Sequence, residues 1–206
     1  MKQVQNDYEL NGIFPIPVYI AKRDSKQEEE EKEIEEIVVK EGMYKNLGNS
    51  TSNNSYIFNN GKLKNIKQFC ERHLKIYIEQ VINPNPKQEL DLYITQSWLN
   101  LSKPGEWHHT HHHVNSILSG VYYVAAEKGD GILFRDPVDK DILESVEPKV
   151  CFFPVYTNDL ILFPSWLRHG VPPNEKATTD RISLSFNTFV RGTIGRQEDL
   201  TELLLR

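Results

Sequence analysis

From residue 90 onward the hydrophobic pattern takes on a period of two, and this limits the fold more than any other feature of the chain. The runs are short: residues 90–101, Ile117–Val124, Gly131–Phe134, Val150–Val155, Leu160–Phe163 and Arg181–Val190. Such alternation belongs to strands with one buried face. In the first run Leu92, Ile94, Gln96, Trp98 and Asn100 fall on one side, and Tyr93, Thr95, Ser97, Leu99 and Leu101 on the other. Pro104-Gly105, Lys128-Gly-Asp-Gly131 and Thr157-Asn-Asp159 supply turn chemistry between runs. Short strands with this punctuation predict an antiparallel sandwich or barrel.

The first 89 residues read differently. Residues 1–12 are polar and expected to be loose. Phe14-Pro-Ile-Pro-Val-Tyr-Ile20 predicts an extended edge segment, because a proline cannot donate to a strand ladder. Ser25-Lys-Gln-Glu28 fits a capping box opening an acidic helix. Ile34, Ile37 and Val38 form its apolar side, its glutamates a solvated face, and Gly42 its stop. Residues 43–61, rich in Asn, Ser and Gly, read as a long, substrate-facing loop. A second helix follows over about 62–82, with Leu63, Ile66, Phe69, Cys70, Leu74, Tyr77 and Val81 at helical spacing and Asn83-Pro-Asn-Pro86 ending it. Two helices before many strands, without alternation, argue against a doubly wound sheet. Residues 1–206 are read as one domain: 1–89 packing on a core of 90–190, and a tail of 191–206 with a short terminal helix over Gln197–Arg206.

A formal net charge of −5 and no long basic stretch make nucleic acid an unexpected partner. No apolar run reaches membrane-span length and no signal-peptide core opens the sequence, so a cytoplasmic protein is expected. Cys70 and Cys151 are expected to be reduced core residues. The segment around residues 14–20 offers an edge through which a homodimer can pair.

Five of the seven histidines lie in Trp107-His-His-Thr-His-His-His113. In a strand, residues i and i+2 point to one side, so 109/111 and 111/113 each present two imidazoles at one point, and 108/111 is a wider pair. Imidazole suits zinc, iron, copper or nickel. A metal held by part of this cluster and by His169 is the reading that gives the run a purpose. In Arg181-Ile-Ser-Leu-Ser-Phe-Asn187 alternation places Arg181, Ser183, Ser185 and Asn187 together, a front suited to gripping a carboxylate. Trp98, Trp107, Tyr122 and Trp166 are candidate pocket aromatics.

Taken together, Phe14-Pro-Ile-Pro-Val18, Gln96-Ser-Trp-Leu-Asn100, His111-His-His-Val-Asn-Ser116, Leu118-Ser-Gly-Val-Tyr-Tyr-Val124, Phe134-Arg-Asp-Pro137, Leu162-Phe-Pro-Ser-Trp166 and Arg181-Ile-Ser-Leu-Ser-Phe-Asn187 resemble an iron(II)/2-oxoglutarate-dependent oxygenase family found in bacteria and phages. The resemblance implies a double-stranded β-helix core, of the jelly-roll or cupin-like kind, with two N-terminal helices. It chooses His111 and His113, six and eight residues after Gly105, with His169, as Fe(II) ligands. Arg181 and Ser183 match the motif that holds the far carboxylate of 2-oxoglutarate, and Asn100 and Tyr123 match strand positions that contact this co-substrate. Ser102 stands where many relatives carry a tyrosine, and His113 where most carry a carboxylate. His108, His109 and His112 are left for outer or surface roles, and Asp136 for a turn. The implied reaction consumes O2, decarboxylates 2-oxoglutarate to succinate and hydroxylates a C–H bond of an unspecified substrate. Two alternatives stay open on the residues alone: a three-histidine, cupin-like metalloenzyme that does not use 2-oxoglutarate, and a non-catalytic metal-binding β-sandwich module.

Overall fold

The computed structural model describes residues 15–24, 28–59, 61–82, 90–137 and 149–205. The proposed loose start, the capping serine Ser25 and the Asn83–Pro86 helix stop lie outside these residues. In chain order come β1 (Tyr19–Lys22), α1 (Glu28–Glu36, prolonged by a π turn over Ile37–Glu41), β2 (Met43–Lys45) and β3 (Ser50–Ser52). Next are a 3-10 turn (Ile57–Asn59), α2 (Lys64–Tyr77, prolonged by a π turn over Ile78–Ile82), β4 (Leu90–Ser102), β5 (His108–His111) and β6 (Leu118–Ala125). The chain continues through β7 (Gly131–Arg135), β8 (Val150–Pro154), β9 (Asp159–Pro164), β10 (His169–Val171), β11 (Arg181–Ile194) and β12 (Leu203–Leu205).

The strands form two sheets. The larger runs β1-β9-β6-β11-β4-β3-β2, with β12 also on β11, and the smaller runs β5-β10-β7-β8. Every pairing between these strands is antiparallel. The proline-rich entry leads into β1 at the edge of the larger sheet, as the missing N–H groups require.

Alternation along the strands divides the larger sheet into two working faces. Its outer face packs on the helices: Tyr122, Leu160, Leu162, Leu184 and Phe186 join Ile34, Ile37, Ile66, Leu74 and Tyr77 in one buried cluster. A Cβ on Gly120 would fall 2.1 Å from the Phe186 ring, so a side chain is missing there because the ring takes its place. The inner face meets the smaller sheet through Tyr123, Ile161 and Phe163 against Ile132 and Phe134. At the other end of that inner face polar groups line a pocket instead.

Several sequence expectations change here. The single alternation read along residues 90–101 is broken, because the register with β11 skips Thr95: Gln96 pairs with Asn187 and Ile94 with Thr188. This bulge reverses the phase. Leu92 and Ile94 therefore face the helices together with Leu99, and Trp98, Asn100 and Ser102 face the pocket. Residues 43–61 are not one loop, since β2 and β3 form a hairpin whose second strand pairs with β4 through Ser50–Leu101 and Thr51–Asn100. The terminal helix expected over Gln197–Arg206 is replaced by β12, which pairs with Gly192–Ile194. Cys70 is buried but Cys151 is exposed. The acidic helix is not wholly solvated either. Glu30 is buried and takes a two-pronged salt bridge from Arg23 at 2.7 Å, tying α1 to the exit of β1. Among the described residues no helix is long and apolar enough to cross a membrane.

Candidate metal centre

The short strands β5 and β10 pair with His169 opposite His111, which puts both imidazoles on the pocket side of the smaller sheet. His113 lies just beyond β5, where its backbone N–H donates to the Ser165 carbonyl at 2.9 Å. The three rings close into a triad, with centroids 4.4 Å apart for His111–His169, 4.9 Å for His111–His113 and 5.2 Å for His113–His169. One nitrogen from each lies within 4.8 Å of the others. Cis ligands on an ion bound at about 2.1 Å sit about 3 Å apart, so slight rotation of the rings suffices to close on one.

Hydrogen bonds set which nitrogen is offered. A carbonyl only accepts, so His111 donates from Nδ1 to the His109 carbonyl at 2.8 Å, and His169 from Nδ1 to the Leu167 carbonyl at 2.9 Å. In the neutral ring that leaves Nε2 with its lone pair. The side-chain amide of Asn187 lies 3.4 Å from His113 Nδ1. Its Nδ2 is the atom nearer the ring, and its Oδ1 accepts a hydrogen bond from Ser119 Oγ at 2.9 Å. Aromatic neighbours wall the triad: Phe163 stands 4.5 Å from His169 and Trp98 5.7 Å from His113, centroid to centroid.

Burial keeps these rings uncharged. It drives the proton affinity of His169 and His108 down to about 3 and that of His113 down to about 4, and lowers that of His111, with neighbouring histidines adding to each effect. Metal ligation needs the neutral ring, so the donor set fits a divalent cation at neutral pH. The same shift makes the metal-free protein sensitive to acid. An unfolded imidazole binds a proton near pH 6.5, while the folded ones refuse it until pH 3 to 4. Between these limits the unfolded chain holds more protons, so stability is complete above pH 6.5 and declines as pH falls. Each such histidine contributes up to about 1.4 kcal/mol per pH unit. Chelator-treated protein is therefore expected to show a clearly lower urea midpoint at pH 5 than at pH 7, and replacing His169 with alanine to flatten that dependence.

The pocket beside the triad contains the other residues singled out in the sequence. Arg181, Ser183, Asn100 and Tyr123 all line it. Arg181 is buried and donates from a terminal guanidinium nitrogen to Asp130 Oδ1 at 3.0 Å. Asp130 also accepts from the Glu127 backbone N–H at 2.8 Å and from Asn174 Nδ2 at 3.3 Å, so the arginine is held from behind. Asn100 accepts from Thr51 Oγ1 at 3.2 Å and donates to Ser185 Oγ at 2.9 Å. Tyr123 is fully buried, which raises its phenol's pKa. Of the proposed aromatics only Trp98 lines the pocket. Tyr122 belongs to the helix-side core, and Trp107 and Trp166 are exposed. Asp136 is not among the lining residues; its backbone N–H donates to the Lys149 carbonyl after β7.

Three lining or supporting residues escape a reading of the sequence alone. Asp130 is hidden inside a Gly-Asp-Gly turn. Asn49 arrives on the β2–β3 hairpin, and its buried Oδ1 has no hydrogen-bond partner. His108, expected at the surface or in an outer role, lines the pocket beside His111.

With this geometry in place, comparison with known proteins is informative. Residues 96–187 match the family model described as "Putative 2OG-Fe(II) oxygenase". Over these residues the chain is similar to the 2OG-Fe(II) oxygenase family. The fold also has structural counterparts. HygX from Streptomyces hygroscopicus, solved with nickel and 2-oxoglutarate bound, superposes with a TM-score of 0.57 at 10% identity, over 84% of this chain and 82% of that one. SnoK, a non-heme alpha-ketoglutarate-dependent carbocyclase from nogalamycin biosynthesis, gives 0.60 at 10% identity, over 89% and 84%. An oxidoreductase of the 2OG-Fe(II) oxygenase family from Burkholderia pseudomallei gives 0.53 at 10% identity, over 76% of each chain. At such identities these likenesses establish the jelly-roll fold and no more. No curated protein matches.

Proposed function

We propose that the protein is an Fe(II)/2-oxoglutarate-dependent oxygenase that hydroxylates a C–H bond of its substrate. The observation that carries this reading is the placement of three neutral histidines and one buried arginine around a single pocket. When bound, iron and 2-oxoglutarate supply the oxidation, with O2 consumed and succinate and CO2 released. His111 and His169 would hold the metal through Nε2, each fixed by the bond its Nδ1 makes to a carbonyl, and His113 would complete the set. Arg181 binds the far carboxylate, and Ser183, two residues along the same face of β11, adds a hydroxyl donor. Asn100 and Tyr123 contact the co-substrate from β4 and β6. Asn49 presents a buried carbonyl oxygen that a ligand N–H or O–H would satisfy.

The pocket's electrostatics support the same reading. No carboxylate is among its lining residues, so three neutral ligands leave the full charge of a divalent ion in place. A dianion cancels that charge, and Asp130 balances Arg181 from outside the lining. That ligand set also favours a second reading, a three-histidine metalloenzyme without 2-oxoglutarate, in which Arg181 anchors a substrate carboxylate. Anaerobic Fe(II) protein titrated with 2-oxoglutarate separates the two. A visible charge-transfer band that saturates with 2-oxoglutarate is expected; iron binding with no such band would reject the first reading in favour of the second.

A further inference from the structure

The triad leaves His108 and His109 unused, and the local backbone explains why they nevertheless crowd against it. Along β10 two steps separate His169 from Val171, but along β5 three separate their partners His111 and His108. The extra residue is a β-bulge, and it returns His108 to the same side as His111, where simple alternation would turn it away. Gly170 lies beneath the bulge. A Cβ there would stand 3.0 Å from the His108 carbonyl oxygen and 3.2 Å from the Thr110 backbone, so the close approach depends on glycine.

The outcome is a second group of three imidazoles. Ring centroids are 4.6 Å apart for His108–His111, and 5.0 Å for both His108–His109 and His109–His111. One nitrogen from each lies within 4.8 Å of the others. His109 Nδ1 is buried and has no hydrogen-bond partner. A buried polar atom of this kind carries a desolvation cost that a ligand would remove. We infer that His108, His109 and His111 form a second metal site, exclusive with the first.

Exclusivity follows from His111, the residue common to both groups. Its Nδ1 is committed to the His109 carbonyl, so only Nε2 remains to bind, and one lone pair serves one ion. The donors are three imidazoles with no carboxylate, which suits Zn2+, Ni2+ or Cu2+ and not Ca2+ or Mg2+. An ion held here takes His111 out of the His111–His113–His169 centre. On the oxygenase reading above, such ions inhibit by moving one ligand aside instead of only replacing iron in place. The site itself stands independently of that reading.

The test uses Co2+ as a spectroscopically visible probe and removes the ligands that the two groups do not share. His113→Ala/His169→Ala protein, with its fold checked by circular dichroism, is expected to bind one equivalent of Co2+ that Zn2+ displaces. Adding His109→Ala is expected to weaken that binding at least tenfold. A folded double variant that binds no Co2+, or a triple variant that binds as tightly as the double, would overturn the second site. Should the double variant not fold, His169→Ala with and without His109→Ala carries the same comparison. Two equivalents of Zn2+ on the wild-type chain would overturn exclusivity. The 2-oxoglutarate band of the wild-type iron protein is read separately, so loss of one proposal is not mistaken for loss of the other.

Discussion

Arg181→Ala is expected to abolish measurable 2-oxoglutarate binding while leaving the histidine centre able to take up metal. The guanidinium is the only cationic side chain lining the pocket among the described residues. Removing one partner of a buried, charge-assisted pair costs about 2–5 kcal/mol, a loss of about thirtyfold or more in Kd. The substitution has a second consequence, because Asp130 is 3% exposed and would lose its cationic partner. Stranding a buried carboxylate in this way costs about 3–5 kcal/mol of stability. The variant can therefore fail for two reasons, and Asp130→Asn/Arg181→Ala separates them. The double substitution removes both charges, so its urea midpoint should recover toward wild type while 2-oxoglutarate binding stays lost. A folded double variant that binds 2-oxoglutarate like wild type would remove Arg181 from the co-substrate site.

The contrast between Arg181 and Asp130 shows what the sequence discloses and what it conceals. Arg181, Ser183, Ser185 and Asn187 were legible as one face because β11 keeps a single phase from Arg181 to Asn187. On β4 the equivalent reading failed at Thr95, where the extra residue is visible only against its partner strand. Asp130 carried no signal beyond its turn, since its role depends on a residue 51 positions away. The β2–β3 hairpin was concealed for a related reason. Asn, Ser and Gly have low strand propensity, and β4 supplies the ladder that they do not specify for themselves. At the tail, Leu203–Leu205 likewise follow the edge offered by β11 beyond the end of its pairing with β6. The five clustered histidines suggested a metal site, but their arrangement into two overlapping groups needed the bulge at His109 and Thr110.

His111→Ala is expected to have the broadest effect on metal binding of any single histidine substitution. His113 and His169 belong to one group and His108 and His109 to the other, whereas His111 belongs to both. Its neighbours can be lost singly with one complete set remaining, but its own loss leaves at most two imidazoles on either side. Loss of a partner that merely orients a ligand weakens affinity about 10- to 100-fold. Loss of the shared ligand should exceed this, with no saturable Co2+ absorption in the concentration range where wild type is full. The fold should tolerate the change better than it tolerates Arg181→Ala, because His111 is half-buried, its ring uncharged, and its side-chain bond runs only to the carbonyl two residues back. His169→Ala provides the comparison. If both variants lose all Co2+ binding alike, the histidine run feeds a single centre. Should His111→Ala alone be silent while His169→Ala still binds, the bulge in β5 has built two exclusive seats for one ion.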